Sequence, residues 1–133
     1  MAILISNTLS RKKEVFTPQE DKTVKMYVCG VTVYDQCHIG HARSLYIFDV
    51  IRRYFKDCGY KVHFVRNITD IDDKIIQKAK ELNQPWQEVV ARNIALYQKD
   101  LKDLGIPPAD QEPRATENIP EMVEYIQGLI QKG

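Results

Sequence analysis

The chain has 133 residues, 44% of them hydrophobic and 28% charged, with 19 Lys and Arg against 18 Asp and Glu for a net charge of +1. This predicts one soluble globular unit, one domain at most, and the near-neutral balance excludes a general electrostatic attraction to nucleic acid or membrane. Cysteines at 29, 37 and 58 are odd in number and lack CxxC spacing, which argues against a disulfide framework and a self-contained zinc knuckle.

Residues 1–13 (MAILISNTLSRKK) place a short apolar stretch before basic residues, the reverse of a secretory signal, and no stretch approaches a membrane span. A cytoplasmic location is expected. Residues 3–16 can form a small hairpin. Two short β-branched and aromatic runs, 24–30 (VKMYVCG) and 61–66 (KVHFVR), read as strands. Between them, 41–59 read as a helix: Ile47, Val50, Ile51, Tyr54, Phe55 and Cys58 recur at three and four residues, and Gly59 supplies the stop. Strand, helix, strand is the βαβ unit, so the strands are expected to be parallel and the fold class α/β.

Beyond residue 67 the pattern is mostly helical. Asp70 can cap residues 71–82, and Pro85 can open a helix with Val90, Ile94, Tyr97, Leu101 and Leu104 as its stripe, closed by Gly105. After a loop at 106–116 (IPPADQEPRAT), a last helix carries Ile119, Met122, Val123, Ile126, Leu129 and Ile130 on one face. Three or four strands beside four helices are fewer than the about five or six strands of a doubly wound sheet, so an incomplete Rossmann-like core with an uncovered apolar edge or helix face is expected.

The pentapeptide 37–41 (CHIGH) packs a thiol and two imidazoles around a glycine, after the first parallel strand and at the start of the long helix. Turns at that edge of a parallel sheet bind nucleotides, because helix amides and the helix dipole favour phosphate. Gly40 allows close approach to the backbone, and His38 and His41 span one turn, so both rings can face one anion. Imidazole donors aimed at a phosphoryl group stabilise charge that exists only in the transition state. The plainer alternative is one packed and one solvated histidine. Zinc held by this cluster alone is disfavoured, because adjacent Cys37 and His38 do not readily occupy two tetrahedral positions.

Cys29 is placed at the end of the first strand, in the floor of the expected crevice, with a buried small hydrophobe as the alternative. Cys37 and Cys58 take that second reading, Cys58 because it falls on the helix stripe. Thr69 is placed to present a hydroxyl to a small substrate. Asp72 and Asp73 are read as first-turn capping residues rather than Mg²⁺ ligands. Trp86 and the tyrosines read as packing residues, and Arg52, Arg53 and residues 11–13 (RKK) as solvated charge.

Together, 27–43 (YVCGVTVYDQCHIGHAR), 59–75 (GYKVHFVRNITDIDDKI) and 112–116 (EPRAT) resemble the amino-terminal part of bacterial cysteinyl-tRNA synthetases, class I enzymes with a HIGH signature, here at 38–41. The resemblance runs the length of the chain. It implies that residues 1–133 are the amino-terminal part of a catalytic domain that activates L-cysteine with MgATP to cysteinyl-adenylate and esterifies it onto tRNA(Cys). It implies His38 and His41 as catalytic groups, Thr32, His38, Gly40 and His41 around ATP, and Gly30 and Thr69 around cysteine. Cys29 would be the first of four ligands to a Zn²⁺ that binds the substrate thiolate at about 2.3 Å, a ligand an alcohol cannot match. The other ligands, the second ATP signature (KMSKS) and the tRNA-binding region would lie beyond these residues, so residues 1–133 alone are expected to be inactive. Two alternatives stay open: the related ligase that joins cysteine to glucosaminyl-inositol in mycothiol synthesis, and a noncatalytic nucleotide- or metal-binding module.

Overall fold

In the computed structural model, which describes residues 2–133, β1 (Leu4–Asn7) and β2 (Lys12–Val15) form the antiparallel hairpin. Next come β3 (Thr23–Thr32), α1 (Ile39–Asp57) and β4 (Lys61–Thr69), with β3 and β4 parallel. The chain continues through α2 (Asp73–Leu82), α3 (Trp86–Asp103), a 3-10 turn (Thr116–Asn118) and α4 (Ile119–Lys132). The expected α/β class and βαβ order are found. No helix among the described residues is long and apolar enough to cross a membrane.

Both parallel strands run further than the sequence suggested, and the reason lies in their register. Val28 pairs with Arg66 and Val31 with Ile68, so Cys29 and Gly30 together stand opposite the single residue Asn67. This is a β-bulge, and it shifts the side-chain alternation by one. Val24 and Val28 are buried before it, Val31 and Val33 after it. Glycine is required there: a Cβ at Gly30 would lie 1.6 Å from the Asn67 carbonyl oxygen and 2.8 Å from its carbon. Because that obstacle is backbone, Gly30→Ala is expected to destabilise the fold by about 2–3 kcal/mol, measured by urea unfolding.

The helices cover one face of the sheet. Val24, Val28, Val62 and Phe64 pack with Phe55 of α1, and Phe16 and Tyr60 close this cluster. Toward the carboxyl ends of the strands, Val31, Val33 and Ile68 pack with Leu45, Ile75 of α2, and Val90, Ile94, Tyr97 and Leu101 of α3. The opposite face, with Lys25, Tyr27, Cys29 and His63, is exposed.

Four sequence expectations need correction. The face that α1 buries carries Leu45, Asp49, Arg52 and Phe55, while Ile47, Val50, Tyr54 and Cys58 are exposed. Arg52 is therefore not a solvated charge. Its guanidinium lies over the Phe64 ring, donates to the Pro108 carbonyl at 2.8 Å and pairs with Asp110, while Asp49 pairs with Arg53. These partners turn a polar stripe inward and leave the apolar one outside.

Second, the segment expected to be a loop runs beside β4 as a parallel edge. Arg66 N–H donates to the Gln111 carbonyl, Ile68 N–H to that of Pro113, and Ala115 N–H to that of Ile68. Pro113 has no N–H to give, which breaks this ladder into isolated bridges at Gln111 and Arg114. Third, Asp70 is not the cap of α2. Asp72 fills that role, accepting from Lys74 N–H at 2.9 Å, while buried Asp70 accepts from the Thr116 amide at 3.0 Å and its hydroxyl at 2.6 Å. Fourth, Leu104, and Tyr27, Tyr46, Tyr54 and Tyr125, are exposed rather than packed. The expected uncovered helix face is found on α4, whose apolar stripe is 44% to 73% exposed among the described residues.

Candidate functional site

The HIGH segment is first of all a helix start. His38 is the N-cap of α1, and its Nδ1 accepts the Gly40 N–H at 3.0 Å. The Nδ1 of His41 accepts the His38 N–H at 3.3 Å, so two histidines form the reciprocal capping box that Ser or Thr and Glu usually supply. The rings lie 4.0 Å apart, centroid to centroid, tilted by 35°. Because each Nδ1 receives a backbone donor, the neutral rings carry their proton on Nε2, and both Nε2–H groups remain to donate elsewhere. Gly40 serves the ring before it serves any ligand: a Cβ there would lie 2.8 Å from His38 Cε1.

Burial, and then the neighbouring His38, push the His41 pKa below its ordinary value of 6.5. An unfolded histidine takes up its proton near that value and folded His41 only at lower pH. Between the two the unfolded state holds more protons, so this contribution is complete above 6.5 and is lost as pH falls through the lowered value. The melting temperature is expected to drop as pH is lowered from about 7 to about 5.5, and to drop less in His41→Asn, whose amide oxygen can still accept the His38 N–H.

The turn that carries the histidines is fixed from two sides. The Asn93 amide donates to the Val33 carbonyl at 3.1 Å, and Lys78 of α2 pairs with Asp35 at 2.6 Å. The Lys78 hydrogen bond, followed by the Gln36 amide, lowers the Asp35 pKa. On one side of His38 lies a groove of about 300 Å³ lined in part by Cys37, Asp100 and Asp103. Its carboxylates repel a phosphate, which leaves the sheet side of the turn as the electrostatically favourable one.

On that side the strand ends place Thr32 beside Thr69, register partners that are both half-buried. Asn67 joins them to the bulge. Its Oδ1 accepts the Gly30 N–H at 2.8 Å and the Tyr27 hydroxyl at 3.0 Å, and its Nδ2 donates to Thr69 Oγ1 at 3.2 Å. The structure therefore brings Cys29, Gly30, Thr32 and Thr69 to one sheet edge and His38, Gly40 and His41 to one helix end. Asn67 was missed because its spacing marks nothing; only the bulge register puts it opposite Cys29 and Gly30.

The three thiols separate clearly. Cys37 packs partly against the core, and burial, then the Asp100 charge, raise its pKa, so it stays a protonated thiol. Cys58 is exposed where α1 ends, and Cys29 is exposed on the open sheet face beside the bulge. Among the described residues no group of three or more His, Cys, Asp or Glu side chains could hold a metal ion. One thiol does not fit a zinc centre, which needs about four ligands.

A family model describing the tRNA synthetases class I (C) catalytic domain matches residues 15–133, and the HIGH and Cys29–Gly30 segments fall inside that match. The chain belongs to this family. Among relatives of this class I domain, a cysteine-tRNA ligase of Neisseria meningitidis serogroup A is 54% identical over 129 residues, covering 97% of this chain and 18% of the relative. A cysteine-tRNA ligase of Persephonella marina is 52% identical over 133 residues, 100% of this chain and 27% of its own length. One from Francisella tularensis subsp. novicida is 56% identical over 131 residues, 98% of this chain and 28% of its own. The chain thus spans 18% to 28% of the length of these synthetase relatives.

Proposed function

We propose that the protein activates L-cysteine with MgATP to cysteinyl-adenylate and transfers the cysteinyl group to tRNA(Cys), residues 1–133 being the amino-terminal part of its catalytic domain. The observation that carries the reading is the close, tilted His38–His41 pair at the start of α1, each ring held through Nδ1 with its Nε2 free. In the activation step a cysteine carboxylate oxygen bonds to the α-phosphorus of ATP and pyrophosphate leaves. The two Nε2–H donors suit the charge that gathers on the phosphates in that step, from rings already fixed in place. Thr32 and Gly40 flank the nucleotide, while Gly30 and Thr69 line the amino-acid side. Mg²⁺ enters with ATP.

Cys29 is read as one ligand of a Zn²⁺ whose other ligands come from outside residues 1–133. The supporting observation is that Cys29 is exposed on the sheet beside the proposed amino-acid groups. The test is ATP–pyrophosphate exchange by the protein as its gene encodes it, followed by charging of tRNA(Cys). Exchange should depend on cysteine and not occur with serine. Exchange without tRNA charging, but with transfer to glucosaminyl-inositol, would move the reading to the mycothiol ligase. No amino-acid-dependent exchange would remove both.

A further inference from the structure

We infer that Asn67 is a positioning residue that turns the Thr69 hydroxyl outward, so that the end of β4 presents a hydrogen-bond donor to the carboxylate of the amino-acid substrate. The inference rests on the cysteine-activation reading above and adds to it a residue and the polarity of a contact.

The polarity follows from which groups can only donate. A backbone N–H has no lone pair to offer, and the Gly30 N–H points at the Asn67 side chain from 2.8 Å. The atom it meets must be the amide oxygen. The Tyr27 hydroxyl, 3.0 Å from the same oxygen, adds a second donor to it. The amide nitrogen is thereby committed to the other side, where it lies 3.2 Å from Thr69 Oγ1. An amide NH₂ only donates, so the Thr69 oxygen accepts and its own proton is directed elsewhere. Among the described residues that hydroxyl meets no side-chain partner other than Asn67. Thr69 closes the β3–β4 ladder beside Thr32, so the free O–H sits at the strand ends where the site is proposed.

The bulge explains why asparagine suits this position. Two residues opposite one leave the Gly30 N–H without a regular ladder partner, and the Asn67 side chain supplies it. The same side chain then has a donor left over for Thr69. Aspartate would satisfy Gly30 and Tyr27 equally well and would lack that donor.

Asn67→Asp therefore separates polarity from support. A carboxylate only accepts, so the Thr69 hydroxyl must turn inward to donate to it, leaving lone pairs facing the substrate carboxylate. In cysteine-dependent ATP–pyrophosphate exchange by the protein as its gene encodes it, Asn67→Asp is expected to raise KM for cysteine about 10- to 100-fold. KM for ATP should stay within about twofold, and the melting temperature should be unchanged. The added charge also repels the substrate, so the comparison is repeated in a Thr69→Val background, where no hydroxyl remains to be reversed. There Asn67→Asp should raise KM for cysteine by no more than about threefold. Equal penalties in the two backgrounds, an unchanged KM for cysteine, or both KM values rising with a lowered melting temperature would each overturn the inference and leave the activity reading standing. If the unsubstituted protein shows no cysteine-dependent exchange, that reading falls and takes the inference with it.

Discussion

His38→Asn is expected to slow adenylate formation by about 10²–10³ while leaving KM for cysteine and the melting temperature near their original values. The choice of asparagine follows from the dual use of the ring. His38 caps α1 through Nδ1, and asparagine is among the best N-cap residues, its side-chain oxygen accepting the same class of backbone N–H. What asparagine cannot reproduce is an Nε2–H donor held against the neighbouring ring at 4.0 Å. His38→Ala should lose the donor and, in addition, about 1 kcal/mol of helix capping. His41→Ala should lose its own donor together with the acceptor for the His38 N–H. If pyrophosphate exchange by His38→Asn ran at the original rate, the histidine pair would be a capping device and nothing more.

Legibility of the fold varied with how local its causes are. The βαβ order could be read because strand composition, helical spacing and the Gly59 stop all lie within about forty consecutive residues. The face that α1 buries could not. Apolar spacing pointed to Ile47, Val50 and Tyr54, but the inward positions of Asp49 and Arg52 depend on Arg53, Pro108 and Asp110, and the last two are more than fifty residues away. The edge segment at 106–116 was hidden by its own prolines, which are poor strand formers and here tolerate only a broken ladder. Within the candidate site the histidines stood out by residue type, and Thr69 by its place near a strand end. Asn67 did not, because a bulge is a property of two strands in register rather than of either one.

The edge segment also carries the largest expected stability effect. Arg66 is 1% exposed, lies 5.7 Å from the Phe64 ring centroid and 5.5 Å from that of Tyr97, and pairs with Glu112 at 2.6 Å. Among the described residues its Nε has no hydrogen-bond partner, so the Glu112 contact is the principal answer to a desolvated charge. Removing one member of such a pair costs about 3–5 kcal/mol, and Glu112, 20% exposed on its side chain, places Glu112→Ala near the lower end at about 3 kcal/mol. The loss should be local before it is global. Arg66 staples this segment together with Arg52 on Pro108, the Phe64 amide on Asp110 and Asp70 on Thr116, and between them the backbone ladder is interrupted at Pro113. Limited proteolysis of Glu112→Ala should therefore cut within residues 106–118 at denaturant concentrations where β4 is still protected from hydrogen exchange. Replacing both partners, Arg66→Met with Glu112→Leu, should recover most of the stability, because the desolvated charge disappears along with its counterion. If the double variant were as unstable as Glu112→Ala, the cost would lie in lost packing against Phe64 and Tyr97 rather than in the unpaired guanidinium.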